Sequence, residues 1–82
     1  MNLVEIGSVI RESRKQRKLT QQQLGAMLGM SRATISGIET GRIAEVGIRK
    51  MAALCAVLDL EILVGKRRPY PTLQELRQER RG

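Results

Sequence analysis

The side chains that could do chemistry in this chain are basic and polar groups rather than nucleophiles or metal ligands. Lys and Arg number 15 against 8 Asp and Glu, there is no His, and Cys55 is the only cysteine. Zinc sites need several Cys or His ligands, so the sequence predicts no metal site. No nucleophile stands beside a base, and no glycine loop of the phosphate-cradling type is present. The sequence therefore predicts no enzyme and no cofactor.

The charge of the chain points to a partner that carries phosphate. The formal net charge of the 82 residues is +7, and an excess of Lys and Arg is typical of proteins that bind nucleic acid. Small proteins are also often basic without such a role, and charge alone leaves both interpretations open. Tyr70 is the only aromatic residue, which argues against modules that stack single-stranded bases or RNA on aromatic rings. Double-stranded DNA is the partner that this composition favours.

A capping signal predicts a short second helix in the middle of the chain. Thr20 and Gln23 form a capping box, in which the Thr20 hydroxyl accepts from the amide of Gln23 and the Gln23 side chain reaches back. Leu19 and Leu24 flank the box with the spacing of a hydrophobic staple. Gly29 is expected to end the helix in the left-handed conformation.

Ser31 is the next N-cap and predicts a third helix from Arg32 to about Thr40, ended by Gly41. Its inward face carries Ile35 and Ile38. Its outward positions hold small or polar residues, namely Arg32, Ala33, Ser36 and Gly37. The short turn between the second and third helices should fix the angle between them.

Amphipathic helices are predicted on both sides of this pair. The first runs from Val4 to Gln16 and the fourth from about Val46 to Leu58. The apolar face of the first consists of Ile6, Val9 and Ile10, and that of the fourth consists of Ile48, Met51, Ala52, Cys55 and Leu58. Cys55 is interpreted as a small apolar core residue, with a redox role as the alternative.

The apolar period changes after the fourth helix. Residues 60–64 (LEILV) predict a strand, which has no partner in its own chain and must pair with another chain or stay an exposed edge. Residues 66–71 (KRRPYP) predict a linker, and residues 72–75 (TLQE) a second capping box that opens a short C-terminal helix. A chain of this size buries only about 60% of its unfolded surface, so we favour dimerisation through Leu60, Ile62, Leu63 and Val64.

The combined pattern resembles the Xre/Cro-C1-type helix-turn-helix family, which includes phage repressors. The resemblance covers about residues 6–58 and is carried by Leu19-Thr20-Gln21, Leu24, Leu28-Gly29-Met30-Ser31, Thr34-Ile35-Ser36 and Ile38-Glu39-Thr40-Gly41. It implies a mainly α, lambda-repressor-like bundle of four to five helices, with the C-terminal strand paired across a dimer. The domains expected are a DNA-binding domain at 1–58, a dimerisation strand at 59–65, and a basic linker with a short helix or tail at 66–82.

One position departs from the family pattern. Gly25 stands where the family commonly has Ala, at a cost of about 0.5–1 kcal/mol in a helix. A glycine there would still permit close approach of the third helix.

The resemblance implies a set of DNA contacts, because the second helix of such a pair meets base edges in the major groove while the first crosses the backbone. The base-contacting candidates are Ser31, Arg32, Ala33, Ser36 and Gly37, and the phosphate-contacting candidates are Thr20, Gln21, Thr34, Thr40 and Arg42. Arg32 is the strongest base candidate, since a guanidinium binds guanine O6 and N7 together, and a phosphate contact is its alternative. The basic end of the first helix (Lys15, Arg17 and Lys18) either contacts phosphate or is a solvated face.

Arg14 and Glu39 match positions that form an ion pair in phage-repressor relatives, and the resemblance implies a structural pair here rather than a DNA contact. A helix-turn-helix followed by a dimer-forming strand also resembles HipB-like antitoxins, which repress their own operon and bind a kinase-type, HipA-like toxin. The function expected is a repressor of this antitoxin type, acting as a homodimer on a palindromic operator. The alternative is a phage-type or stand-alone regulator without a toxin partner.

The start of the sequence and its longest apolar runs favour a cytoplasmic protein without a membrane partner. The first residues lack the basic region and apolar core of a signal peptide. No stretch approaches the roughly 18 apolar residues of a membrane span.

Overall fold

Side-chain caps set where the first three helices begin. In the computed structural model, which describes residues 2–43 and 45–66, the side chain of Asn2 accepts from the Glu5 amide at 2.9 Å. The predicted capping box is confirmed: Thr20 Oγ1 accepts from the Gln23 amide at 3.0 Å, and Gln23 Oε1 accepts from the Thr20 amide at 2.8 Å. Ser31 caps the next helix. The helices of the described residues are α1 (Leu3–Gln16), α2 (Gln21–Leu28), α3 (Arg32–Thr40) and α4 (Ile48–Val57).

All four helices end in the same way, with one residue in the left-handed region. Gly29 and Gly41 have φ values of 66° and 73°, as predicted for helix-ending glycines, and Lys18 and Asp59 both have a φ of 57°. In each case the following amide bonds back five residues, through Leu19 to Arg14, Met30 to Gly25, Arg42 to Gly37 and Leu60 to Cys55, at 2.7–3.2 Å. This pattern satisfies carbonyls that a helix end otherwise leaves without a donor. It also turns the chain sharply enough to stack short helices.

The core lies between the four helices, where α1 and α2 pack on α3 and α4 packs on α2. Leu24, Ile35 and Leu54 have 0% of their surface exposed, and full burial of such a side chain is worth about 1.5–3 kcal/mol. The other buried apolar members of this cluster are Ile10, Met30, Ile38 and Leu58. α1 and α2 both pack on α3. α2, its turn and α3 thus form a helix-turn-helix, and α1 packs against the second helix of this pair.

Gly7 allows α1 to cross the end of α3 at close range. A Cβ on Gly7 would lie 2.5 Å from the Ile38 carbonyl oxygen and 2.7 Å from the Glu39 carbonyl carbon. Backbone atoms cannot move aside as a flexible side chain can, so any larger residue would push the two helices apart. The apolar period of α1 does not reveal this requirement.

The predicted faces of α1 and α4 need correction. α4 begins at Ile48 rather than Val46, and Ile48, predicted to point inward, is 71% exposed. Ala52 is exposed as well, while Leu54 takes a fully buried place that was not predicted. Val9 of α1 is 51% exposed. Periodicity shows which residues share a face, but only the arrangement of helices decides how much of that face is covered.

Residues 60–64 do not form a strand in the described part of the chain. A strand is defined by its ladder with a partner, and the folded body offers none. The Leu60 amide closes α4, and Ile62, Leu63 and Val64 are exposed. Pairing of this segment across a dimer therefore stays a prediction. The predicted C-terminal helix, its capping box and most of the linker lie in 67–82, outside the described residues.

No helix among the described residues is long and apolar enough to cross a membrane.

Gly25 offers a test of the turn between α2 and α3. A Cβ there would overlap the carbonyl oxygen of Met30 and lie 3.5 Å from Ile35 Cγ1, so the space is limited by the turn itself. Helix propensity alone favours Gly25→Ala by about 0.5–1 kcal/mol. We expect the overlap to reverse this sign, so that Gly25→Ala lowers the midpoint of thermal unfolding measured by circular dichroism.

The matched control is Gly65→Ala, where an added Cβ meets nothing within 4 Å. This variant should unfold at the wild-type temperature. A Gly25→Ala protein that is more stable than wild type would show that the turn yields to the added methyl group.

Candidate nucleic-acid interface

A buried ion pair fixes the position of the helix-turn-helix against α1. Arg14 Nε donates to Glu39 Oε2 at 2.6 Å and Arg14 Nη2 donates to Glu39 Oε1 at 3.0 Å. The two side chains are 9% and 1% exposed. A two-pronged contact of this kind matches the planar guanidinium to the carboxylate and fixes orientation as well as distance. The structure thus brings together the residues for which the resemblance implies an ion pair.

Two further hydrogen bonds extend this pair into the start of α2. Arg14 Nη1 donates to the Leu19 carbonyl at 2.7 Å, and Gln21 Nε2 donates to Glu39 Oε1 at 3.2 Å. Every buried side-chain nitrogen or oxygen among the described residues has a partner. Gln21, expected only as a phosphate contact, is therefore also a structural ligand of Glu39. Its backbone amide stands in the first turn of α2, where helix amides lack partners in the helix.

A shallow polar depression lies at the start of α2. Lys18, Thr20, Gln21, Gln22 and Arg32 all line it. The N-terminus of a helix carries a partial positive charge and unpaired amides, both of which favour an anion. With a lysine and an arginine added, the depression has the charge and donors that a DNA phosphate requires.

The depression changes the interpretation of Arg32. Arg32 was predicted as the strongest candidate for a guanine contact, with a phosphate contact as its alternative. It lines the same surface as Thr20 and Gln21, and its side chain is exposed at the first position of α3. This position favours the phosphate alternative.

The hydroxyl groups of Ser31 and Thr34 form one unit. Ser31 Oγ accepts from the Thr34 amide at 3.1 Å, and the two hydroxyl oxygens lie 2.9 Å apart, close enough for one to donate to the other. One of the two hydrogens is used in this contact. The pair therefore offers DNA a single free donor, which either residue can supply.

Thr20 and Thr40 differ in what they can still donate. The Thr20 oxygen accepts the capping bond from Gln23, which leaves its hydrogen free for a phosphate, so capping and phosphate binding are compatible. Thr40 Oγ1 donates to the Ser36 carbonyl at 3.0 Å and lies 3.3 Å from the Gly37 carbonyl. Its single hydrogen is already used, so a phosphate contact by Thr40 would require this bond to break.

Gly37 has a structural explanation that does not involve DNA. A Cβ on Gly37 would overlap Cγ1 of Ile43 and lie 2.6 Å from its Cδ1. The side of Gly37 that a side chain would occupy is therefore covered by the chain leaving α3. Gly37 could meet a base only through its backbone.

The remaining candidates lie where a contact needs no rearrangement. Ala33 is exposed in the first turn of α3, and Ser36 is half-buried one turn later. Arg42 is exposed just beyond the end of α3, and its amide donates to the Gly37 carbonyl at 2.9 Å.

Sequence reasoning missed three features of this site. They are the bond from Gln21 to Glu39, the bond from Arg14 to the Leu19 carbonyl, and the presence of Gln22 in the depression. The capping box could have indicated the third, because it places residues 18–22 around one helix N-terminus. The first two depend on how α1 and α3 cross, for which the sequence carries no local signal.

Comparison with known proteins is consistent with this geometry. The family model described as helix-turn-helix (HTH_3) matches residues 10–64. The chain is 35% identical over 60 residues to the ImmF control region 10 kDa protein of Bacillus phage phi105, covering 72% of this chain and 67% of that protein. It is 30% identical over 67 residues to an uncharacterized HTH-type transcriptional regulator of Sinorhizobium fredii, y4dL, covering 82% of this chain but only 34% of that protein.

A solved structure agrees in fold. The crystal structure of the restriction-modification controller protein C.AhdI from Aeromonas hydrophila superposes with a TM-score of 0.65 at 32% identity, over 72% of this chain and 84% of that one.

We expect two ion pairs of this chain to contribute very differently to the free energy of unfolding. Glu39→Ala leaves the Arg14 guanidinium buried without its partner, which should lower the free energy of unfolding by about 3–5 kcal/mol. The Arg17–Asp59 pair is 4.0 Å long with side chains 46% and 92% exposed. Exposed pairs contribute little, so Asp59→Asn should leave stability unchanged, and Asn also tolerates the left-handed conformation.

Urea denaturation of the three proteins measures both effects. Equal stability of Glu39→Ala and wild type would contradict a structural role for the buried pair.

Proposed function

This chain belongs to the helix-turn-helix family, and we propose that it is a transcriptional repressor that binds operator DNA as a dimer. The observation that carries this proposal is the polar depression at the start of α2, next to the exposed first turn of α3. It combines a helix N-terminus, two cationic side chains and a free hydroxyl donor from Thr20. These groups match one phosphate of the DNA backbone, and α3 lies beside them as the helix that enters the major groove.

The contacts available on α3 are few. Ala33 offers a methyl group, which suits the C5-methyl of thymine, and Ser36 and the Ser31–Thr34 pair offer hydroxyls. Each of these groups can meet more than one base, so they discriminate weakly. We infer that half-site spacing and the shape of the DNA supply a large part of the specificity. A two-fold dimer would bind half-sites about one helical turn, roughly 34 Å, apart.

The antitoxin form of this function is a prediction that no observation on this chain favours. A phage protein and a restriction-modification controller are among its relatives, and these names fit the alternative of a stand-alone regulator. We therefore place the repressor first and the toxin partner second. Deletion of residues 66–82 distinguishes the two hypotheses. If the tail binds a toxin, the deletion should abolish co-purification of the neighbouring gene product and leave operator affinity intact.

DNA affinity is expected to depend steeply on salt. Each phosphate that the protein neutralises contributes about −0.9 to the slope of log K against log salt concentration. Arg42→Ala should weaken binding to all sequences and reduce the magnitude of the slope by about one phosphate contact. Arg49→Ala removes the same charge from the exposed face of α4 and should leave the slope unchanged.

The salt titration can be measured by fluorescence anisotropy on an operator selected from random DNA. A flat salt response of the wild-type protein would exclude a DNA role.

Replacement of Arg32 tests whether this residue contacts a phosphate or a base. Because Arg32 lines the depression at α2, we expect Arg32→Ala to weaken cognate and point-mutated operators by the same factor. A base contact would instead relax preference at one position, at a cost of about 1–3 kcal/mol on the cognate site alone. Affinities for the cognate operator and its single-base variants decide between the two.

A further inference from the structure

An apolar groove opens between α1, α4 and the segment that follows α4, and it shares no lining residue with the depression at α2. Its apolar walls include Ile6, Val9, Ile48, Met51, Ile62 and Leu63. Val9 is 51% exposed, Ile48 71% and Leu63 74%. Large apolar side chains left in solvent on one surface are typical of an interaction site.

The charge of the groove shows what kind of partner it fits. Among the described residues, the charged side chains that line it are Glu5 and Glu61, in a chain with a net charge of +7. Carboxylates beside an apolar surface disfavour phosphate. Glu61 favours a segment that carries apolar side chains followed by basic ones.

The chain contains such a segment. Residues 62–68 read ILVGKRR, three apolar residues followed by a glycine and three basic residues. Val64 is 95% exposed, so the described structure leaves its side chain almost wholly in solvent. Ile62 and Leu63 already form part of the groove wall in their own chain, so they cannot also fill the space in front of that wall.

We propose that residues 62–68 of a second copy occupy this groove, and that each copy of a two-fold dimer gives its segment to the other. Such an interface is self-complementary, because groove and segment lie on the same chain and each copy contributes both. Ile62 and Leu63 belong to both, so each lines its own groove and contacts the groove of the other copy. The proposal rests on the dimer in the proposed function and deepens it by assigning the surface. Leu60, Glu61, Ile62 and Leu63 all line the groove in succession, whereas the side chains of a strand alternate between two faces. The contact is therefore one of side chains packed into a groove rather than a two-stranded ladder.

Cys55 reports directly on this interface. It is the only cysteine, lines the groove and is 8% exposed. Burial also raises the pKa of its thiol, so we expect its alkylation to be slow and to slow further when the groove is covered. We expect the alkylation rate of the full-length protein by a small maleimide to fall several-fold as protein concentration rises through the dimer midpoint. Sedimentation equilibrium without DNA measures that midpoint.

Two pairs of variants test the surface. Leu63→Asp should give a monomer whose Cys55 reacts at one rate at all concentrations, while Met27→Asp, at an apolar position on α2 that is 58% exposed and does not line the groove, should remain a dimer. Glu61→Lys should raise the dissociation constant of the dimer. Glu12→Lys, an equal charge change at an exposed position of α1 that does not line the groove, should leave it unchanged.

The possible outcomes separate this proposal from the proposed function. A dimer that leaves Cys55 reactivity unchanged would show that another surface is used, which overturns the groove assignment and leaves operator binding intact. Protection of Cys55 that is independent of concentration would show that the groove is filled from its own chain, which also overturns the proposal. Thermal melting of Leu63→Asp at monomer concentrations should match wild type at the same concentration, because this side chain is 74% exposed.

Discussion

The carboxylate of Glu39 lies where α1, α2 and α3 meet, with 1% of its side chain exposed. A buried charge is tolerated only when it is paired and its lone pairs are satisfied. Arg14 supplies two donors from α1 and Gln21 supplies one from α2, while the same arginine also holds the Leu19 carbonyl in the connection between these helices. Any shift of one helix would break at least one of these bonds. The position of the whole helix-turn-helix relative to α1 therefore depends on this network.

The network also decides how the start of α2 is presented to a partner. Gln21 holds Glu39 with its side chain, while its backbone amide belongs to the first turn of α2 and the Thr20 hydroxyl keeps a free hydrogen. Donors that are already oriented lose little conformational entropy on binding. The interior charge pair and the exposed anion-binding surface are thus parts of one structure, although only the second would touch DNA.

The depression at α2 and the groove between α1 and α4 differ in their chemical character. The depression at α2 contains cations and hydrogen-bond donors, whereas the groove between α1 and α4 is apolar with Glu5 and Glu61 beside it. Two glycines permit close contacts: Gly7 lets α1 cross the carbonyls of α3, and Gly37 leaves room for the Ile43 side chain. Both glycines are explained by packing. This separation would allow the proposed dimer to form without bringing the two candidate phosphate-binding surfaces together.

Most of the local structure followed from the sequence. The capping box at Thr20, the cap at Ser31 and the ends at Gly29 and Gly41 depend on contacts within a few residues, and each is present as predicted. The inward face of α3 also followed, because Ile35 and Ile38 repeat at the helical period. For the proposed DNA contacts, the pattern supplied candidate residues but not the hydrogen bonds that each hydroxyl already makes.

The sequence by itself determined where helices start and stop, because capping and turn chemistry act over three to five residues. Only the tertiary structure decided which side chains are covered and which donors remain free, since these depend on elements distant in the chain. Ile48 repeats with the core residues of α4 but lies at its exposed start, and Gln21 is a structural ligand only because α3 brings Glu39 within 3.2 Å. Residues 60–64 have the pattern of a strand, but a strand needs a partner, and residues 2–43 and 45–66 supply none.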